Sequence, residues 1–218
     1  MPTILASTQI AKAQILSQDT TAIRWAMSEW LGWLNDGQRE IAIIRPSAYS
    51  KIANVPLVAG TRQTLPADAV AFVEFMRNMG VGGAVPGQSA RPVTRRLMDS
   101  QTPNWHSQTQ SAVVQHYIFE PLSPKTFYVY PPSLGTTQVE VLYEASPPDV
   151  ATVSSVISLD DVYANALLDY LMYRAYSKDS EFIGNAERAV LYRKAFETSL
   201  GLKSQADAAV VAVNKERG

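Results

Sequence analysis

TTAIRWAMSEWLGWLNDGQREIAIIRP, residues 20–46, spaces its apolar side chains as one long helix does. At 100° per residue, Ile23, Met27, Trp30, Leu31, Leu34 and Ile41 share one side, with Trp33 and Ile44 at its margin. Arg24, Ser28, Asn35, Asp36, Arg39 and Glu40 fall on or beside the other side. A stripe of that width is a core-facing helix surface. Trp25 and Ile43 lie outside it and require cover from elsewhere. Thr20 or Thr21 is placed to cap the start. Pro46 stops the helix, because a residue before proline avoids the α region. Gly37 sits on the apolar side, where a missing side chain lets another element approach closely. The tryptophans read as core packing.

The flanking segments extend this pattern. Ile4–Gln18 reads as a short first helix, with Leu5, Ile10, Ala13 and Leu16 facing the long one, and Asp19 and Thr20 break it. Near the other end, SLDDVYANALLDYLMYRAYSKD is apolar almost all round, the mark of a helix buried against several neighbours. Leu159, Val162, Ala166, Tyr170 and Tyr173 make one row of it, and Ser158 with Asp161 resembles a capping box. Phe182, Ala186, Ala189, Phe196 and Leu200 form the seam of a further helix, which Gly201 is expected to end. Helices are thus expected at about 4–18, 21–45, 159–178 and 182–200.

The middle has another character. Tyr49–Pro66 holds Pro56, Gly60 and Pro66 between short apolar pieces, which reads as short strands and turns. AVAFVEFMRNM, residues 69–79, fits a strand buried on both faces better than a helix opened by Pro66 and Asp68. Gly80–Ala90 is a glycine-rich loop. AVVQHYIFE, TFYVYPP and TTQVEVLYEA, within 112–145, are rich in β-branched and aromatic residues and are expected to form a three-stranded antiparallel meander. The fold class is therefore α+β. A helical bundle draws on 1–46 and 158–201, a β-rich domain with long loops occupies 47–157, and 202–218 is a C-terminal extension.

Composition narrows the function. The chain has 218 residues, of which 46% are hydrophobic and 18% charged, and its formal net charge is −1. Such a balance gives no global attraction to nucleic acid or to a membrane surface. The low charge leaves room for large protein contacts. There is no cysteine, so disulfides and thiolate metal sites are excluded. No apolar run reaches the ~18 residues of a membrane span. The N-terminus, MPTILASTQIAKAQIL, lacks the basic start and apolar block of a secretory signal.

No catalytic constellation stands out. HExxH, GxSxG, P-loop and GxGxxG motifs are missing, and GVGG at 80–83 has no phosphate-loop lysine. Asp160 and Asp161 are adjacent and suit helix capping. His106, in NWHSQ, suits a turn or packing role. The expectation is a non-enzymatic protein without cofactor or metal. Arg91, Arg95 and Arg96 form the densest basic patch, readable as a solvated surface or as a contact with an acidic partner surface or with DNA phosphate, and they are taken as candidate protein-interface residues. In the tail, AAVVAV is apolar without a clear partner, which makes Val210, Val211 and Val213 candidates for docking on another chain.

Taken in order, RWAMSEWLGWLNDGQREIAIIRP, GTRQTLP, RRLMDSQTPNWH, HYIFEPLSPKTFYVYPP and DYLMYRAYSKDSEF resemble the head-to-tail adaptor (connector) proteins of short-tailed bacteriophages. The resemblance spans about Asp19 to Leu200 and lies in the order and combination of structural motifs. It implies a helical bundle with a β domain, and a structural protein of the virion neck made in the host cytoplasm. It further implies a homo-oligomeric ring of 12 copies beneath the portal protein. Such a ring extends the DNA channel, passes DNA without specific binding, and offers a platform to tail nozzle or fibre proteins. Val210, Val211 and Val213 would then dock on the portal. The alternative is a soluble, non-catalytic protein-binding module.

Overall fold

The computed structural model describes the backbone of residues 2–216 and the side chains of residues 2–201. The helices are α1 (Ala6–Ser17), α2 (Met27–Ile44), α3 (Arg95–Gln101), α4 (Ala164–Lys178) and α5 (Asn185–Glu216). The strands are β1 (Ser50–Pro56), β2 (Gly60–Thr64), β3 (Ala69–Val81), β4 (Arg91–Pro92), β5 (His116–Phe119), β6 (Thr126–Ser133) and β7 (Thr137–Ala145). The class is α+β, and the chain divides into two compact units: Met1–Tyr49 with Pro147–Gly218, and Ser50–Ser146.

The first unit is a bundle of α1, α2, α4 and α5. Ile10 and Ala13, Trp30, Leu34 and Ile41, Leu167 and Leu171, and Phe196 and Leu200 meet in one core. α2 crosses α4 at Gly37, where a Cβ would stand 2.7 Å from Leu167 Cδ1 and 2.8 Å from Tyr170 Cδ1. Two amide side chains of α2 hold the 147–158 segment. Asn35 accepts from the Val150 amide at 2.8 Å and donates to its carbonyl at 3.2 Å, and Gln38 accepts from the Ser158 amide at 2.6 Å.

α2 begins at Met27, six residues later than its sequence pattern suggests. The Asp19 carboxylate accepts from the amides of Ile23 (3.0 Å), Arg24 (3.2 Å) and Trp25 (3.1 Å), and Ala22 takes φ 55°. An acceptor that claims these amides locally offers the backbone an alternative to the helix. Trp25 consequently enters the core edge-on to Trp30, with ring centroids 5.4 Å apart. Ile23 is left exposed instead of buried, and Met27 is largely exposed. Thr20 and Thr21 do not cap the helix; Glu29 accepts from the Ala26 amide at 3.1 Å. Ile43 is exposed rather than covered. As expected, α2 ends just before Pro46.

Other side chains also depart from expectation. Leu5, Leu16, Val162, Phe182 and Ala186 are exposed. Ala6 and Gln9 join Ile10 and Ala13 on the buried face of α1. Ser158 is not a cap: Asp160 accepts from the Val162 amide, while Asp161 accepts from the amides of Thr3 at 2.8 Å and Ile4 at 3.2 Å. Nor does Gly201 end α5, which runs on to Glu216. A glycine stops a helix by turning left-handed, and Gly201 is not among the positive-φ residues.

The second unit contains two sheets, ordered β1-β7-β3 and β2-β6-β5-β4. β5 and β6 form the expected antiparallel pair, but β7 leaves the meander and pairs with β1 and β3. Between the sheets, Phe72 lies 4.9 Å from Phe127 and 5.6 Å from Tyr117, and Phe75 stacks on Tyr117 at 5.6 Å. Behind the second sheet, Met98 of α3 and Trp105 pack on Ile118. β3 is a strand, with register shifts repeated along it, and Ala69, Phe72, Phe75 and Asn78 are buried at every third position. Each bulge adds a residue and returns the chain to the same face, so a simple alternation could not describe this segment.

Candidate protein interface

α5 presents Val190 and Leu191 to solvent, with a hollow on either side. One, of about 560 Å³, is lined by Leu16 and Gln18 at the end of α1, Tyr176 of α4, and Arg188, Leu191 and Tyr192. The other, of about 420 Å³, is lined by Tyr173, Ala186, Ala189, Val190 and Lys194. Tyr176 stacks on Tyr192 with centroids 5.8 Å apart, and the Arg188 guanidinium stands 5.5 Å from the Tyr176 ring. Burial pushes the Asp169 carboxyl of α4 up from its ordinary value. The Tyr192 hydroxyl is pushed up chiefly by burial, with Tyr176 and Asp169 adding to the effect.

A second apolar patch lies where α4 turns into α5. Phe182 and Ile183 are exposed there, and so is Ile23 before α2. Arg24 connects the two segments: its guanidinium lies 4.6 Å from the Trp25 ring centroid and 5.4 Å from that of Phe182, and its Nε donates to Asp179. Lys178 pairs with Glu29 beside it, and this pairing chiefly holds the Glu29 carboxyl below its usual range. Exposed apolar side chains rimmed by charge are the ordinary marks of a protein contact surface. Residue periodicity hid this patch by assigning Ile23 and Phe182 to the core. The turn-forming residues Asp19-Thr20-Thr21 and Asp179-Ser180 are the signals that these residues leave their helices.

The basic residues singled out in the sequence are all exposed. Arg91 lies on β4, and Arg95 and Arg96 open α3. Arg95 Nε is 3.5 Å from Asp99 Oδ2. Cations in the first turn oppose the helix dipole, so their placement gains nothing for α3. Val210, Val211 and Val213 fall within the span of α5, and their side chains lie outside the described residues.

The histidines have structural partners. His106 stacks on Trp105 at 3.6 Å and its Nδ1 shares a hydrogen bond of 2.8 Å with Thr61; Trp105 Nε1 donates to Asp99 at 2.9 Å. His116 stacks on Tyr130 at 6.1 Å. Among the described residues, no group of three or more His, Asp or Glu side chains is placed to hold a metal ion, and no helix is long and apolar enough to cross a membrane. What the surface offers is apolar contact and salt-bridging rims.

The family model described as SU10 adaptor protein matches residues 6–215. None of the curated proteins compared with this chain matches it.

Proposed function

From the premise that this chain belongs to the SU10 adaptor family of phage head-to-tail adaptors, structural proteins of the virion neck, we propose that it joins the portal to the tail as a homo-oligomeric ring and extends the DNA channel. The observation that carries the reading is the extent of the family match, which takes in both units and almost the whole of α5. The ring has 12 copies, and the protein serves as a scaffold without catalytic activity. A ring subunit must bury surface on two flanks, and the exposed apolar residues around α5 and the α4–α5 turn supply such surface. Tail nozzle or fibre proteins dock on the platform that the ring presents.

Two finer assignments belong to this reading. The end of α5, with Val210, Val211 and Val213, docks on the portal as a helical arm. Arg91, Arg95 and Arg96 contact neighbouring protein, and DNA passes the lumen without specific binding. The experiment is deletion of residues 203–218, with purified protein added to portal-bearing heads that lack an adaptor. Full-length protein should bind the heads and restore tail attachment. The truncated protein should lose only the helical signal of the α5 residues removed and keep its melting point, yet fail to attach. Normal attachment of the truncated form would exclude the arm as the anchor, and failure of both forms would count against the adaptor role itself.

A further inference from the structure

Of the sheet edges in the second unit, β1 is the one left unguarded. Leu57 donates its amide to the Thr137 carbonyl at 3.0 Å, and the β1–β7 register continues without a shift from Pro56 opposite Gln138 to Ser50 opposite Glu144. In an antiparallel ladder, alternate residues turn both backbone groups to the same neighbour. Lys51, Ala53 and Val55 therefore face β7, while Ser50, Ile52 and Asn54 direct their amides and carbonyls outward. Among the described residues, no further backbone hydrogen bond engages these three. Pro56, which has no amide to offer, falls at an outward position, as proline in an edge strand does.

The other edges are protected. β3 bends through repeated bulges, and its Phe72 and Asn78 amides are taken by the carbonyls of Pro124 and Gln88. β2 carries exposed Arg62 at an outward position, and β4 is two residues long and begins at Arg91. Charge, bulging and brevity are the usual devices that keep an edge from pairing. β1 is neither bulged nor short along Ser50–Asn54. Its one charged side chain, Lys51, is already engaged with Asp68 at 2.7 Å, and Ile52 is 58% exposed.

We propose that β1 pairs antiparallel with β1 of a second copy of this chain, making one sheet across two subunits. In a solution of this protein, the other edge of the same unguarded character is β1 itself. The strand is also complementary to itself. With Ile52 opposite Ile52 of the second copy, Ser50 meets Asn54 and Lys51 meets Ala53, so no like charges oppose one another. The outward amides of Ser50, Ile52 and Asn54 all find carbonyls, and Pro56 lies beyond the ladder. Such a contact is two-fold symmetric, and so differs from the head-to-tail contacts that close a ring; it does not depend on the adaptor reading.

The test is sedimentation velocity on the purified full chain over a range of concentrations, with two variants. The wild type should show a concentration-dependent dimer. Ile52→Lys, which sets two cations face to face, should sediment as a monomer with an unchanged circular dichroism spectrum. The chain has no cysteine, so Ile52→Cys should give a disulfide-linked dimer under mild oxidation, while Leu122→Cys, on an exposed loop, should not. A wild type that stays monomeric would overturn the proposal. So would a dimer or ring indifferent to Ile52→Lys, or equal cross-linking of the two cysteine variants.

Discussion

Replacing Gly37 by alanine tests the packing of α2 on α4 most sharply, because Gly32 on the same helix provides a matched control. Either change should gain about 0.8–1 kcal/mol of helix propensity. At Gly32 an added Cβ meets no atom within 4 Å, so Gly32→Ala should show that gain in full. At Gly37 the Cβ would stand 2.7 Å from Leu167 Cδ1 and 2.8 Å from Tyr170 Cδ1, closer than atoms of this kind pack. Leu167 is fully buried and Tyr170 nearly so, leaving neither free room to retreat. Overpacking of a filled core costs about 1–3 kcal/mol. Gly37→Ala should therefore be destabilised by up to ~2 kcal/mol after the propensity gain, and should lie roughly 1–3 kcal/mol below Gly32→Ala. Urea unfolding followed by circular dichroism reads this as opposite shifts of the midpoint at constant slope. Equal stability of the two variants would refute the close crossing of α2 over α4.

Further expectations follow from the same structure. Trp30→Ala or Leu34→Ala should cost roughly 2–5 kcal/mol, as large-to-small changes in a buried core do; an unchanged melting point would place that helix face outside the core. For Asp19, burial disfavours the ionised form, but hydrogen bonds from the Trp25, Arg24 and Ile23 amides and the Arg24 charge outweigh it and hold its pKa below the ordinary value. A carboxyl held down stabilises the fold above its unfolded pKa and loses that contribution as pH falls through the folded one. Asp19→Asn should thus be less stable at pH 7, and should lose less stability than the wild type on acidification below about pH 4, as read by melting at stepped pH. Asn78→Ala leaves the buried Val114 amide and carbonyl without their partner, and should cost at least ~1–3 kcal/mol in chemical denaturation. Replacing Arg91, Arg95 and Arg96 by alanine should leave duplex DNA affinity weak and salt-sensitive, as in the wild type; tight binding at physiological salt that this change abolishes would contradict their role in protein contacts.

Much of this fold was legible because burial leaves a periodic trace. Trp30, Leu34 and Ile41 mark α2, Ala166 and Tyr170 mark α4, and the close approach at Gly37 could be anticipated from its place on the apolar side. The misreadings have local causes. A single carboxylate, Asp19, draws three amides into a turn and removes Ile23 from the helix. The departure of β7 from its neighbour β6 depends on contacts with β1, more than eighty residues earlier in the chain, and no local pattern carries that information. Bulges in β3 replace the expected two-residue period by three. As for the candidate site, Arg91, Arg95 and Arg96 were visible as a cluster of charge. The exposed patch of Ile23, Phe182 and Ile183 was not, since an apolar residue at a helix end looks the same in sequence whether it is covered or bare.

The adaptor role is tested most directly by electron cryomicroscopy of the purified protein mixed with its portal ring. The density added to the portal should be coaxial with it and formed by 12 copies around an open channel, with the end of α5 lying along the portal surface. A portal that stays bare at saturating protein, or density placed away from the channel axis, would contradict that role.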